Sequence, residues 1–222
     1  MIEPWGRSPR ELYRLDFKNR SPTPAVVQQR MIESLNALAK RVDAMVLLEQ
    51  VDEPDTGAFT GGVTDALSRI RRERPDLLML ADSRRGLGHF PAVGLKMNRE
   101  EFGVLTGQKT ELQLPELCSA VERLAAERGE AVFVSLSEDG IAGARPGEKP
   151  EHMPCLPVRG EIDVVGAGDA VMANLATAIA AGAEISEAMR LAMAAASIVV
   201  HQLGTTGTAS LQDIRSLVCT HC

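Results

Sequence analysis

The sequence predicts an α/β fold built on a mostly parallel sheet with helices on both faces. Three short apolar runs, at residues 44–48, 77–81 and 131–136, alternate with stretches of helical periodicity. The runs are almost continuously apolar, which suits strands buried on both sides. Polar or glycine-bearing residues follow the predicted strands at Asp82, at Asn98 and at residues 137–140. In open sheets of this kind ligands bind beyond the carboxyl ends of the strands.

Thr23-Pro24 is a helix start, a cap followed by a proline in the first turn. Val26, Val27, Met31, Leu35, Leu38 and Val42 recur behind it at helical spacing. Residues 44–48 read as a strand. Residues 58–74 read as a helix weakened by Gly61-Gly62, and 77–81 as a strand that stops at Asp82. After Gly86-Leu87-Gly88 comes a short strand, 92–96, then a helix from about Asn98 to Gly107.

Residues 114–128 are predicted as a helix with Pro115 in its first turn and Gly129 past its end. A strand at 131–136 turns at 137–140 into a hairpin partner at 141–144, and a polar, proline-containing loop covers 145–151. An extended piece near 156–159 leads to a glycine loop. Helices over 170–181 and 186–203 follow, with a short last one from Ser210. No internal repeat or low-complexity linker divides the chain.

One domain is expected from 222 residues, long enough to bury a substantial core. Aromatics make up 3%, so the core rests on Leu, Val, Ile, Ala and Met, and stacking platforms for single-stranded nucleic acid are scarce. A net charge of -6 argues against binding to a phosphate backbone. No apolar run approaches the ~20 residues of a bilayer span and the start has no signal-peptide core, so a cytoplasmic location is expected. Four scattered cysteines do not make a disulfide framework, and Cys219-Thr220-His221-Cys222 reads as a frayed tail.

The most informative segment is Asp163-Val164-Val165-Gly166-Ala167-Gly168-Asp169, running into an alanine-rich helix. Two glycines let the backbone approach a ligand, and the free N–H groups of a helix start form an anion site. Asp169 stands where it could take a proton from a hydroxyl attacking that anion. The bland alternative is a turn whose aspartate merely caps the helix. A dinucleotide-dependent dehydrogenase is disfavoured, because its Gly-x-Gly-x-x-Gly loop follows the first strand, whereas this loop is late and has only Gly-x-Gly.

Taken with Asn98-Arg99-Glu100-Glu101 and Ser135-Leu136-Ser137-Glu138-Asp139-Gly140, this loop resembles the ribokinase-like (PfkB) sugar kinases. That family carries an Asn-x-x-Glu element, a Thr-x-Gly-x-x-Gly turn and an Asp-Thr-x-Gly-Ala-Gly-Asp signature in this order. Leu203-Gly204-Thr205 and Arg14-Leu15-Asp16-Phe17 look most like the branch that phosphorylates heptose 7-phosphate. The resemblance spans roughly residues 12 to 217 and is strongest over 76–217.

It implies a single, partial domain with a Rossmann-like three-layer αβα ribokinase-type fold, lacking the N-terminal strands and the β-lid of longer members. It implies ATP and Mg2+ as cofactors, a sugar or sugar phosphate as substrate, and no nucleic-acid or membrane partner. A homo-oligomer or a completing chain is left open. By resemblance Asp169 is the catalytic base, and the backbone of Gly166, Ala167 and Gly168 is the anion hole. Asn98 and Glu101 organise magnesium, mostly through water, and the phosphates. Ser135, Ser137 and Gly140 form the nucleotide-binding turn, with Ser137 in place of a glycine. His201 is expected near the adenine, and Gly204-Thr205-Thr206-Gly207 beneath it.

Asp82, with Arg84 and Arg85, either touches phosphates or belongs to a solvated surface. An ATP-dependent sugar kinase and a catalytically inactive domain of the same fold, binding nucleotide or a partner chain, both remain open. A sheet without its early strands would also expose an apolar edge.

Overall fold

The computed structural model describes Phe17 and residues 19–220. The expectations for residues 14–16 and for the Cys222 end of the tail lie outside the described residues. Every strand among those described belongs to one six-stranded sheet, ordered β1-β2-β3-β4-β5-β6. Strands β1 (Ala44–Glu49), β2 (Leu78–Ser83), β3 (Gly94–Asn98) and β4 (Val132–Ser135) run parallel. Strands β5 (Ile141–Ala144) and β6 (Glu151–Met153) add antiparallel pairs at one edge, so the sheet is mixed. Strand β6 begins on the last residue of the loop expected over 145–151 and was not anticipated; three residues carry no usable alternation.

Helices α1 (Ala25–Leu38), α2 (Gly61–Glu73), α3 (Arg99–Thr106) and α4 (Leu114–Arg128) come first in the chain. Helices α5 (Ala167–Ala180), α6 (Ile185–Val200) and α7 (Leu211–Thr220) close it. The two sheet faces bury separate cores. Met79, Ala81, Leu95, Met97, Val132 and Val134 pack with Leu67 and Ile70 of α2, Phe102 of α3 and Leu117 and Val121 of α4. Leu80, Phe133 and Ile141 pack instead with Val171, Met172 and Leu175 of α5 and Met189 of α6. The alternation of side chains along each strand produces this division, and with it a three-layer αβα architecture.

Helix α1 departs from expectation. Its cap is Pro24, and the Thr23 hydroxyl donates to the Gly57 carbonyl at 2.8 Å instead of capping. None of its residues is fully buried; Val26, Val27 and Leu38 are exposed. The helical spacing was read correctly, but periodicity does not say that a partner surface exists. Helix α2 starts at Gly61 with Thr60 as cap, three residues later than expected, while β2 runs on through Asp82 to Ser83. No strand forms at 156–159. Strand β1 is the other sheet edge, and its Val46 and Leu48 are exposed. The expected apolar edge is therefore present among the described residues.

Candidate active site

The strand alternation that sorts the core also builds the rim. Asp82 follows Leu80, Asn98 follows Lys96, and Ser135 follows Phe133 by two residues each, so they share the sheet face covered by α5 and α6. The N-terminus of α5 approaches the same face at Lys96, whose Nζ would lie 3.4 Å from a Cβ built on Gly168. Gly166 is the cap of α5 with φ 85, and Asp169 lies in the first helical turn. The cap is thus Gly166 and not Asp169. Its side chain is exposed and pairs with no group among the described residues.

The Ala167 N–H donates to Val164 O at 3.2 Å, and the Ala170 N–H returns to Gly166 O at 2.9 Å. Among the described residues the N–H groups of Gly166, Gly168 and Asp169 meet no acceptor, as expected at a helix start. The Ala167 N–H is committed to the turn, so the unpaired amides of this helix start are those of Gly166, Gly168 and Asp169.

Two contacts hold this loop. Asp163 accepts the Val165 N–H at 3.0 Å on Oδ1 and the Gly204 N–H at 3.1 Å on Oδ2. The Thr206 carbonyl lies directly against Cα of Gly166, where any Cβ would collide with it. The 204–207 loop is thereby packed on the glycine loop.

Asn98 and Glu101 form a reciprocal capping box at the start of α3. Asn98 Oδ1 accepts the Glu101 N–H and Glu101 Oε2 accepts the Asn98 N–H, each at 2.8 Å. Burial holds the Glu101 carboxyl above the usual carboxylate range; its bond from the Asn98 N–H opposes this, and nearby Asp82 adds to it. Lys96 acts on the same carboxyl in the opposite direction. Lys96 is buried, and its Nζ donates to Asp82 Oδ2 at 2.8 Å. Lys96 closes the strand predicted over 92–96, and a charge inside an apolar strand is the signal by which the sequence marks it.

The turn between β4 and β5 carries its own constraints. The Ser135 hydroxyl donates to Met97 O at 3.2 Å. Ser137 adopts φ 53, a left-handed conformation, which explains why a glycine suits this position. An open cleft of ≈ 1110 Å³ is lined by Asn98, Arg99, Ser135, Ser137, Asp139 and His152 among others. It brings three of the expected nucleotide residues together but does not reach residues 166–169, where the helix start is open to solvent.

His201 caps the end of α6. Its Nδ1 bonds Ser197 O at 2.5 Å and its Nε2 accepts the Arg159 N–H at 3.1 Å, so the chain occupies both ring nitrogens. Arg85 turns to the opposite sheet face. Its guanidinium is 3.4 Å from Glu49 Oε1, a carboxylate that also takes the Ser83 hydroxyl and His89 Nε2. Arg84 is exposed, and Asp82 is bound to Lys96.

The pfkB family carbohydrate kinase pattern matches residues 92–212, more than half of the chain and every rim element from β3 to the 204–207 loop. The chain belongs to this family. Within the pfkB family it is 30% identical over 207 residues to the bifunctional protein HldE of Bradyrhizobium sp. (strain ORS 278), covering 93% of this chain and 41% of that protein. The HldE of Paramagnetospirillum magneticum is 31% identical over 201 residues, covering 89% and 40%. The chain thus spans about two-fifths of the length of these relatives.

Solved structures share the fold. The ribokinase of Arabidopsis thaliana, complexed with ribose and ATP, superposes with a TM-score of 0.66 at 21% identity, over 89% of this chain and 60% of that one. Phosphofructokinase-2 of Escherichia coli, in complex with potassium, gives 0.66 at 18% identity, over 85% and 61%. The pfkB chain therefore shares the ribokinase-like α/β fold of these structures. No helix among its described residues is long and apolar enough to cross a membrane.

Proposed function

We propose that this pfkB domain transfers the terminal phosphoryl group of ATP to a hydroxyl of a sugar or sugar phosphate, with Asp169 as general base. The observation that carries the reading is the start of α5. Three unpaired N–H groups and one unpaired carboxylate share a single turn, open to the rim. Phosphoryl transfer needs positioning and charge stabilisation more than covalent help, and oriented amides at a helix start supply both.

In the reaction the acceptor hydroxyl gives its proton to the Asp169 carboxylate. Its oxygen forms the new O–P bond, the bridging O–P bond of the nucleotide breaks, and ADP leaves. Magnesium fits the donor set as an ion held mostly through water. Glu101 keeps one oxygen on the Asn98 N–H, and no three acidic, His or Cys groups cluster among the described residues. Asn98 and Glu101 would hold it, and when bound it supplies positive charge to the phosphates. The likeness to HldE supports a heptose phosphate as the first acceptor to try.

The test is calorimetry of ATP·Mg binding, with phosphoryl transfer to heptose 7-phosphate, on this chain and on Asp169→Asn. We expect binding to persist in the variant and transfer to fall by about 100-fold or more. A folded chain that binds no nucleotide would refute the reading. Binding without transfer to any sugar would instead assign a nucleotide-binding, non-catalytic role.

A further inference from the structure

The two edges of the sheet are finished differently. Strand β6 is three residues long, lies between Pro150 and Pro154, and carries the exposed Glu151. Short length, proline and charge are the devices that keep an edge from pairing with another chain. Strand β1 has none of them: it is six residues long, without proline or exposed charge, and its register with β2 contains no bulge. The Leu78 N–H donates to Asp43 O and the Arg84 N–H to Glu49 O. The N–H and C=O groups of Ala44, Val46 and Leu48 therefore point away from β2. Among the described residues they meet no partner.

The helices beside this edge are unfinished in the same way. Val27, Met31, Ser34 and Leu38 of α1 recur at helical spacing, and Val27 and Leu38 are exposed. With Val46 and Phe59 they line an apolar groove of ≈ 380 Å³ along the strand. On the other sheet face α5 packs over β1, and its Ala173 and Thr177 are exposed and uncharged. This flank measures about 20 Å along β1 and about 30 Å through its three layers. Covering it removes surface on the order of the ~800 Å² per partner found in stable interfaces.

We propose that this flank is a self-association surface whose occupant is a second copy of the chain, placed by a two-fold axis perpendicular to the sheet. The two β1 strands then run antiparallel, exchange hydrogen bonds through the outward groups of Val46 and Leu48, and join the two sheets into one. A two-fold contact is self-complementary, so each surface must fit its own copy. The charges on α1 meet that requirement. Arg30 and Glu33 are exposed, opposite in sign and three residues apart, beside a stripe that carries no charge. Where two α1 helices pack antiparallel, the arginine of each lies beside the glutamate of the other, and no like charges are opposed. The surface does not depend on the kinase reading.

The test is the mass of the full chain by sedimentation equilibrium over a range of concentrations. We expect a monomer–dimer equilibrium that stops at the dimer. Val46→Lys should weaken the dimer about 10-fold or more. Arg30→Glu should weaken it as well, and adding Glu33→Arg to Arg30→Glu should restore it. Both α1 positions are exposed, so these variants keep the fold. A double variant that stays as weak as Arg30→Glu would refute the two-fold arrangement. Mass that grows beyond the dimer would overturn the inference in favour of indiscriminate edge pairing, and a dimer indifferent to Val46→Lys would place the contact on another surface. A monomer at every concentration would also overturn it; slow amide exchange at Val46 and Leu48 in that monomer would assign the edge to another part of the same chain.

Discussion

Asp163 Oδ2 accepts the backbone N–H of Gly204 at 3.1 Å, joining two loops that lie 41 residues apart in the chain. Because its other oxygen takes the Val165 N–H, one carboxylate sets both the entry to the glycine loop and the position of the 204–207 loop. Hydrogen bonds to a charged acceptor are worth more than neutral ones. Asp163→Ala is expected to lower stability by about 1–3 kcal/mol in urea unfolding. Faster amide exchange is expected at Gly204, and no change in the β2–β3 pairing.

Gly166 admits no side chain. Its φ of 85 is a backbone conformation that L residues avoid, and the Thr206 carbonyl occupies the space a Cβ would need. Gly166→Ala should cost about 1–3 kcal/mol from strain alone. Displacement of the 204–207 loop adds to that. Thermal unfolding measures the first effect. Nucleotide affinity measures the second, and should fall even where the variant remains folded.

Ser137 holds φ 53 where its relatives' turn motif carries glycine. Ser137→Gly relieves a left-handed strain of roughly 1–2 kcal/mol but adds freedom to the unfolded chain worth about 0.4–1 kcal/mol. The expected outcome is a small net stabilisation in denaturant titration. A loss of stability would mean that the serine side chain contributes more than its backbone costs.

Glu101 gives a pH dependence with a definite sign. Its folded pKa is raised by burial, so between the unfolded and folded values the folded state binds more protons than the unfolded one. Stability from this group is present below the unfolded value and is lost as pH rises through the folded one. Glu101→Gln keeps a capping-box acceptor and carries no charge. It should therefore be as stable as wild type or more so at pH 7, and the difference should shrink toward pH 4. Comparing the two chains cancels Asp76 and Asp213, whose lowered values, set by bonds from Arg74 and Ser210, slope the other way.

The β1 edge predicts association. Val46 and Leu48 are 40% and 36% exposed on a strand with one free side among the described residues. Exposed apolar edge strands pair with other chains. Val46→Lys should reduce concentration-dependent light scattering without lowering the unfolding free energy by more than about 0.5 kcal/mol.

Local chemistry in the sequence settled much of the architecture. The apolar runs of β1 and β4, the proline and glycine bounding α4, and the hairpin ending at Ala144 could be read directly, because burial and end signals are local. The glycine loop was legible for the same reason, and the Asn98–Glu101 spacing through the family resemblance. Long-range approach decided the remainder. Nothing in the spacing of Asp82 and Lys96 announces their 2.8 Å contact, nor does Asp163 signal its reach to Gly204. Whether the apolar stripe of α1 is covered is likewise fixed by its neighbours and not by its period. These outcomes depend on which strand faces which helix, and that is set when two sheet faces bury two different cores; a chain read one window at a time contains no term for it.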